Sequence, residues 1–173
     1  MRACAQTWER GGAGPYAQLN HVLTSFPGSL NAGPDGVILG RFGWALAGVL
    51  TNLYSPGAQL GFVLPTYRMR DWQRVYWACD PTACDAQRFP VLRSGNGVVL
   101  ATQGNFWTPF EQGAQAGDPV FANPANGAAS SYDPGASCDP AGGYIQTAWI
   151  VTRGCGCGEF ARISSYAKGI FNG

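Results

Sequence analysis

The residues whose type and spacing could support chemistry are few, and the cysteines come first. Six cysteines lie at positions 4, 79, 84, 138, 155 and 157. Cys79 and Cys84 flank an Asp-Pro step with four residues between them, a spacing that could close a small disulfide loop. Cys155 and Cys157, separated by one glycine, could supply two metal thiolates. Structural zinc sites usually use knuckles with about two to four residues between ligands, and neither pair stands beside a second matched pair. Three readings stay open: a disulfide in an oxidised sample, a zinc site, or free buried thiols acting as small apolar groups. Cys4, in the N-terminal segment, is expected to be unpaired.

His21 is the one histidine of the chain. A histidine acts as a general base when a nucleophile and an orienting acid stand beside it. His21 has no GxSxG-type elbow in sequence and no matched acid nearby, so it reads as a surface or interface residue. The carboxylates are mostly turn-formers. Asp80, Asp118, Asp133 and Asp139 each precede a proline and Asp35 precedes a glycine, where Asp bonds its own backbone and proline fixes the next φ. Glu111 and Glu159 could be paired as in a glycosidase, but nothing in their spacing favours it. The glycine-rich runs 11–14 and 154–158 lack the Lys-Ser/Thr ending of a phosphate loop. Arg68, Arg70 and Arg74, interleaved with Trp72, could stack single-stranded nucleic acid. An interface loop is the plainer reading, since Arg and Trp dominate protein binding hot spots.

Bulk composition agrees with this scarcity of reactive groups. Only 21 of 173 residues are charged, and the net charge is +1. A balance so close to neutral gives no strong pull toward nucleic acid or anionic lipid, and neither partner is expected. No apolar run approaches the ~20 residues of a membrane helix. The first residues, MRACAQTWERGG, lack the apolar stretch of a secretory signal, so synthesis in a cytoplasm is expected. At this length a chain buries about 70% of its unfolded surface, enough for a core without covalent staples. No enzymatic activity and no cofactor are expected.

The elements that would position these residues are short strands. Residues 1–35 carry no sustained period and are broken by Gly-Gly, Pro-Gly and Gly-Pro steps, so they read as an extended arm. Its Trp8, Tyr16 and Phe26 are too apolar for a solvated tail and are expected to lie against a neighbour. The domain proper is expected over 36–173. In VILGRFGWAL, Ile38, Phe42, Trp44 and Leu46 fall on one strand face with Gly40, and Val37, Leu39 and Arg41 on the other. A turn at Tyr54-Ser55-Pro56-Gly57 precedes a strand at 60–65. Residues 66–90, rich in Arg and aromatics, read as an irregular excursion. Residues 98–110 read as a hairpin turning at Gly104-Asn105. Short strands follow at 119–122 and 128–131. Residues 144–152 alternate Ile145, Thr147, Trp149 and Val151 against Tyr144, Gln146, Ala148 and Ile150, and the last strand covers 159–166. About eight strands with no convincing helix predict an all-β fold, a single barrel or sandwich with an N-terminal arm.

The order of these blocks resembles the structural cement, or capsid decoration, proteins of tailed bacteriophages. The resemblance runs through GVILGRFGWA, LGFVLP, VVLATQGNFWTPFEQGAQAGDPVFANPANGAA and TAWIVTRGCGCGEFARISSY, over about residues 36–166. The six cysteines and the 66–90 insertion depart from the pattern. The resemblance implies a non-enzymatic virion protein on the capsid exterior. It would be made in the bacterial host cytoplasm, assemble as a homodimer or homotrimer, and have the major capsid protein as its partner. The contact residues expected are Trp8, Tyr16 and Phe26 in the arm and Tyr67, Arg68, Arg70, Trp72 and Trp77 in the aromatic loop. A tail- or fibre-associated structural module is the alternative. A secreted carbohydrate-binding module with a Trp72, Trp77 and Trp107 platform is a third, and would need native disulfides.

Overall fold

A computed structural model of the chain describes residues 23–24, 30–65, 75–79, 88–131 and 143–166. Among these residues there are fourteen strands and no helix, so the fold is all-β as expected.

The first sheet is built from β1 (Leu23–Thr24), β2 (Leu30–Ala32), β4 (Phe42–Leu46), β5 (Val49–Thr51), β6 (Gln59–Pro65) and β9 (Gly97–Gln103). Its order is β1-β9-β2-β5-β4-β6, and β6 pairs back onto β9 along Phe62↔Ala101 to Pro65↔Val98, which closes five strands into a small barrel. Strands β1 and β2 share the opposite edge of β9, at Ala101–Gln103 and Gly97–Val98. Part of the segment expected as an arm is thus sheet, with Leu30 and Ala32 buried. β4 and β5 form a hairpin whose connecting Ala47 and Gly48 both have positive φ, 51° and 82°. That is the two-residue turn whose twist matches a right-handed ladder.

The second closed sheet contains β10 (Asn105–Phe110), β11 (Pro119–Ala122), β12 (Ala129–Ser131), β13 (Ile145–Arg153) and β14 (Glu159–Ser164), in the order β10-β12-β11-β13-β14. Six register pairs tie β10 to β14, whereas β10 meets β12 only at Phe110↔Ala129. A third sheet joins β3 (Val37–Ile38), β8 (Arg88–Leu92) and β7 (Val75–Cys79), so part of the 66–90 segment is a strand.

Two differences from the sequence reading follow from pairing. The strands close twice, and several of them are two or three residues long, shorter than a periodic pattern can reveal. The expected hairpin at Gly104 is instead a junction: β9 and β10 are consecutive but belong to different barrels. Gly104 adopts φ 153°, and a Cβ there would run into the Phe106 ring. Only glycine makes that handover from one barrel to the next.

Candidate functional site

The two barrels share a wall. Strands β4, β6 and β9 are apolar on both faces. Ala45, Val63, Val98 and Leu100 point into the first barrel, among aliphatic neighbours such as Leu30, Val37 and Leu50. Phe42, Trp44, Phe62, Leu64 and Ala101 point the other way and join the core of the second barrel, with Phe106, Phe110, Trp149 and Ile163. Phe62 stacks on Phe106 at 4.5 Å between centroids, while Phe42 meets Phe62 and Trp149 edge-on at 5.5 and 5.4 Å. Such pairs add about 0.5–1.5 kcal/mol each beyond their burial.

Hydrogen bonds lock the same seam. Phe42 N–H donates to Gly127 O at 2.8 Å, Thr108 Oγ1 to Gly40 O at 3.1 Å, and Tyr54 N–H to Pro124 O at 2.7 Å. Buried Asn52 accepts from Ile38 N–H at 2.6 Å and donates to Phe42 O at 2.7 Å. A Cβ on Gly127, which has φ +69°, would overlap the Phe42 carbonyl oxygen, so the turn before β12 approaches β4 as closely as backbone allows.

On this rigid body the large apolar side chains that face solvent are concentrated. Leu46 (48% exposed) and Val49 (42%) form the tip of the β4–β5 hairpin, and Leu53 (61%) and Tyr54 (45%) follow β5. One nine-residue stretch, 46–54, therefore carries four of the five large apolar residues exposed among the described residues, the fifth being Tyr166. Tyr54 is held in place by an edge-on contact with Trp44 at 5.9 Å. A second, half-buried surface lies on the outer face of β10 and β14. There Trp107 stands opposite Arg162, and the Arg153 guanidinium lies 5.7 Å from the Trp107 ring.

The chemically distinctive group is the thiol pair in the β13–β14 connection. Cys155 is half-buried and Cys157 exposed, and both are free thiols. The Cys155 backbone is fixed by paired bonds with Ala114, at 2.9 and 3.1 Å. Burial pushes its thiol above the ordinary range; Glu159 and Cys157 act in the same direction, and a backbone hydrogen bond to Ala114 opposes them. Glu159 Oε2 accepts the Gly156 N–H at 2.9 Å and so braces the turn. Among the described residues no three or more His, Cys, Asp or Glu gather as a metal site.

Of the contact residues expected from sequence, Trp8, Tyr16, Phe26, Tyr67, Arg68, Arg70 and Trp72 lie outside the described residues, as do His21 and Cys84. Trp77 and Cys79 are on the backbone of β7, in register with Pro90 and Arg88. The 46–54 surface was not foreseen. Its signal was present in Leu46-Ala47-Gly48-Val49, where a small-residue turn interrupts an apolar run.

The family model for the XM1 gp53 minor capsid protein matches residues 4–167, a span that includes both barrels and the seam. The chain belongs to this minor capsid protein family. As a family member it is a phage virion structural protein associated with the capsid, in keeping with the capsid-associated resemblance of its strand blocks. No curated protein matches the chain.

Proposed function

We propose that the protein binds the outside of the phage head and cements adjacent major capsid subunits, working by adhesion rather than turnover. The observation that carries this reading is the pairing of a minor capsid family with a two-barrel body whose apolar exposure is gathered on residues 46–54. A body stiffened by an aromatic seam transmits load between two contacts, and exposed apolar side chains on ordered turns lose little entropy on binding. In this reading Leu46, Val49, Leu53 and Tyr54 form one contact. A second comes from the N-terminal residues Trp8, Tyr16 and Phe26 together with Tyr67, Arg68, Arg70, Trp72 and Trp77. Self-association as a homodimer or homotrimer multiplies the contacts per particle, so modest individual affinities add to a firm attachment.

The test is co-sedimentation of the full chain with heads assembled without it. Replacing Leu53 and Tyr54 together by Ser is expected to weaken attachment about tenfold or more, since a hot-spot side chain is worth more than about 1 kcal/mol. Wild-type occupancy by this variant, with its melting temperature unchanged, would remove 46–54 from the contact. Failure of the unaltered protein to bind such heads would remove the cement reading altogether.

A further inference from the structure

We propose that Cys155 and Cys157 form a dithiol modification site, at which small-molecule disulfides of the glutathione class convert the pair into a disulfide within the loop. This goes beyond capsid binding and does not depend on it.

The pair sits in Arg153-Gly-Cys-Gly-Cys-Gly-Glu159, with a glycine before, between and after the thiols. Residues two apart in a turn have Cα atoms about 5–7 Å apart, against the roughly 4.4–6.8 Å that a disulfide spans. A small ring across a single residue demands unusual backbone angles, and glycine at 156 supplies that freedom. The two thiols are also placed for different tasks. Cys157 is exposed, open to a solution reagent. Cys155 is half-buried and anchored through Ala114, and its thiol responds to the charge of Cys157, so the two lie within electrostatic reach.

The exchange runs in two displacements. The Cys157 thiolate attacks one sulfur of the disulfide RS–SR, forming the mixed disulfide Cys157–S–SR and expelling RS⁻. The Cys155 thiolate then attacks Cys157 Sγ, forming the Cys155–Cys157 bond and expelling the second RS⁻. Both cysteine protons end on the released thiols. The pair is oxidised by two electrons and RS–SR is reduced by two. Burial keeps Cys155 more protonated than a free thiol, which suits it to the second, intramolecular step rather than the first.

The experiment treats the native full chain with oxidised glutathione, blocks remaining thiols with N-ethylmaleimide, digests with trypsin and weighs the fragments. Cleavage after Arg153 and Arg162 releases residues 154–162, which contain Cys155 and Cys157 and no other cysteine. The expected fragment lacks two hydrogens and carries no maleimide. Cys155→Ser is expected to trap glutathione on Cys157, and Cys157→Ser to slow modification of Cys155 several-fold. Two maleimides on the wild-type fragment, under conditions that fully oxidise dithiothreitol, would overturn the proposal. So would a bond from this fragment to another cysteine peptide, or a Cys155→Ser protein that takes up no glutathione at Cys157.

Discussion

The two barrels have opposite interiors. The first is lined by aliphatic side chains such as Leu50, Val63 and Leu100, and even these need Gly43 and Gly61 opposite them. A Cβ at those positions would come within 2.7 Å of Val63 and 2.6 Å of Leu100. The second is filled by large rings, Phe106, Phe110 and Trp149, and takes in Phe42 and Phe62 from its neighbour. In the first, β6 and β9 pair at four positions, and β2 meets β5 and β9 at two each. In the second, β10 and β12 pair at one position, and its core includes rings from the first barrel. The seam is therefore expected to be the stability-determining region for the whole molecule.

The largest effect should come from Gly127. Gly127→Val places side-chain atoms against the Phe42 carbonyl at φ +69°, and a loss above about 4 kcal/mol, or failure to fold, is expected. Gly40→Ala is the control: φ is similar at +78° but nothing lies within 4 Å of the added Cβ, so the cost should be only about 1–2 kcal/mol. Equal urea midpoints for the two variants would mean that the seam yields and the barrels are not rigidly joined. Next in size is Phe42→Ala, which empties the place where both cores meet and should cost about 3–5 kcal/mol. Circular dichroism and tryptophan fluorescence should still report a single transition, because the wall belongs to both barrels. Two separated transitions would show independent barrels and end the comparison.

The legible and the hidden parts of this fold divide along the same line as local and long-range physics. Alternation is local, and so the sequence puts Ile145, Thr147, Trp149 and Val151 on one face of β13; both faces are half apolar, and the structure buries Thr147, Trp149 and Val151. Phe42 and Trp44 likewise share one buried face of β4. Closure is not local. A Gly-Asn step after an apolar run looks the same whether the chain turns back on itself or passes to another sheet, and only the partners of β9 and β10 distinguish the two. The clue to a shared wall is that Phe42 to Leu46 carries no polar side chain on either side, which a strand with one wet face would not show. At the surface, Leu46 follows the period of Phe42 and Trp44 and reads as core, yet it extends past the sheet into the hairpin tip and is 48% exposed. The thiol pair could be read directly, since its spacing is covalent. Cys155 pairs with Ala114 in an isolated antiparallel bridge, a long-range contact that no local pattern encodes.

A smaller effect, of opposite sign, is expected at the exposed hairpin. Ala47 holds φ 51°, a conformation that strains any residue with a Cβ, and it is the only non-glycine with positive φ among the described residues. Ala47→Gly relieves that strain while adding some unfolded-state entropy, for a net gain of up to about 1 kcal/mol. A melting temperature raised by a few degrees would support this. A fall would mean that the Ala47 methyl contributes packing at the tip.

The smallest effect is the alkaline one at Cys155. Its folded pKa is raised, so the folded chain holds this proton more tightly than the unfolded chain does. The stability tied to that proton is complete below the thiol's ordinary value of 9.0 and is lost as pH rises from there through the folded value. Serine does not titrate in this range, so Cys155→Ser should flatten the alkaline decline. The difference should be slight, because solvent reaching a half-buried thiol screens its surroundings. Urea midpoints for both proteins at about pH 7 and about pH 10 measure it directly, the low-pH pair correcting for the substitution itself. A steeper alkaline decline in the serine variant would mean that Cys155 is held as a thiolate in the folded protein, and would reverse the order of attack assigned to the two cysteines.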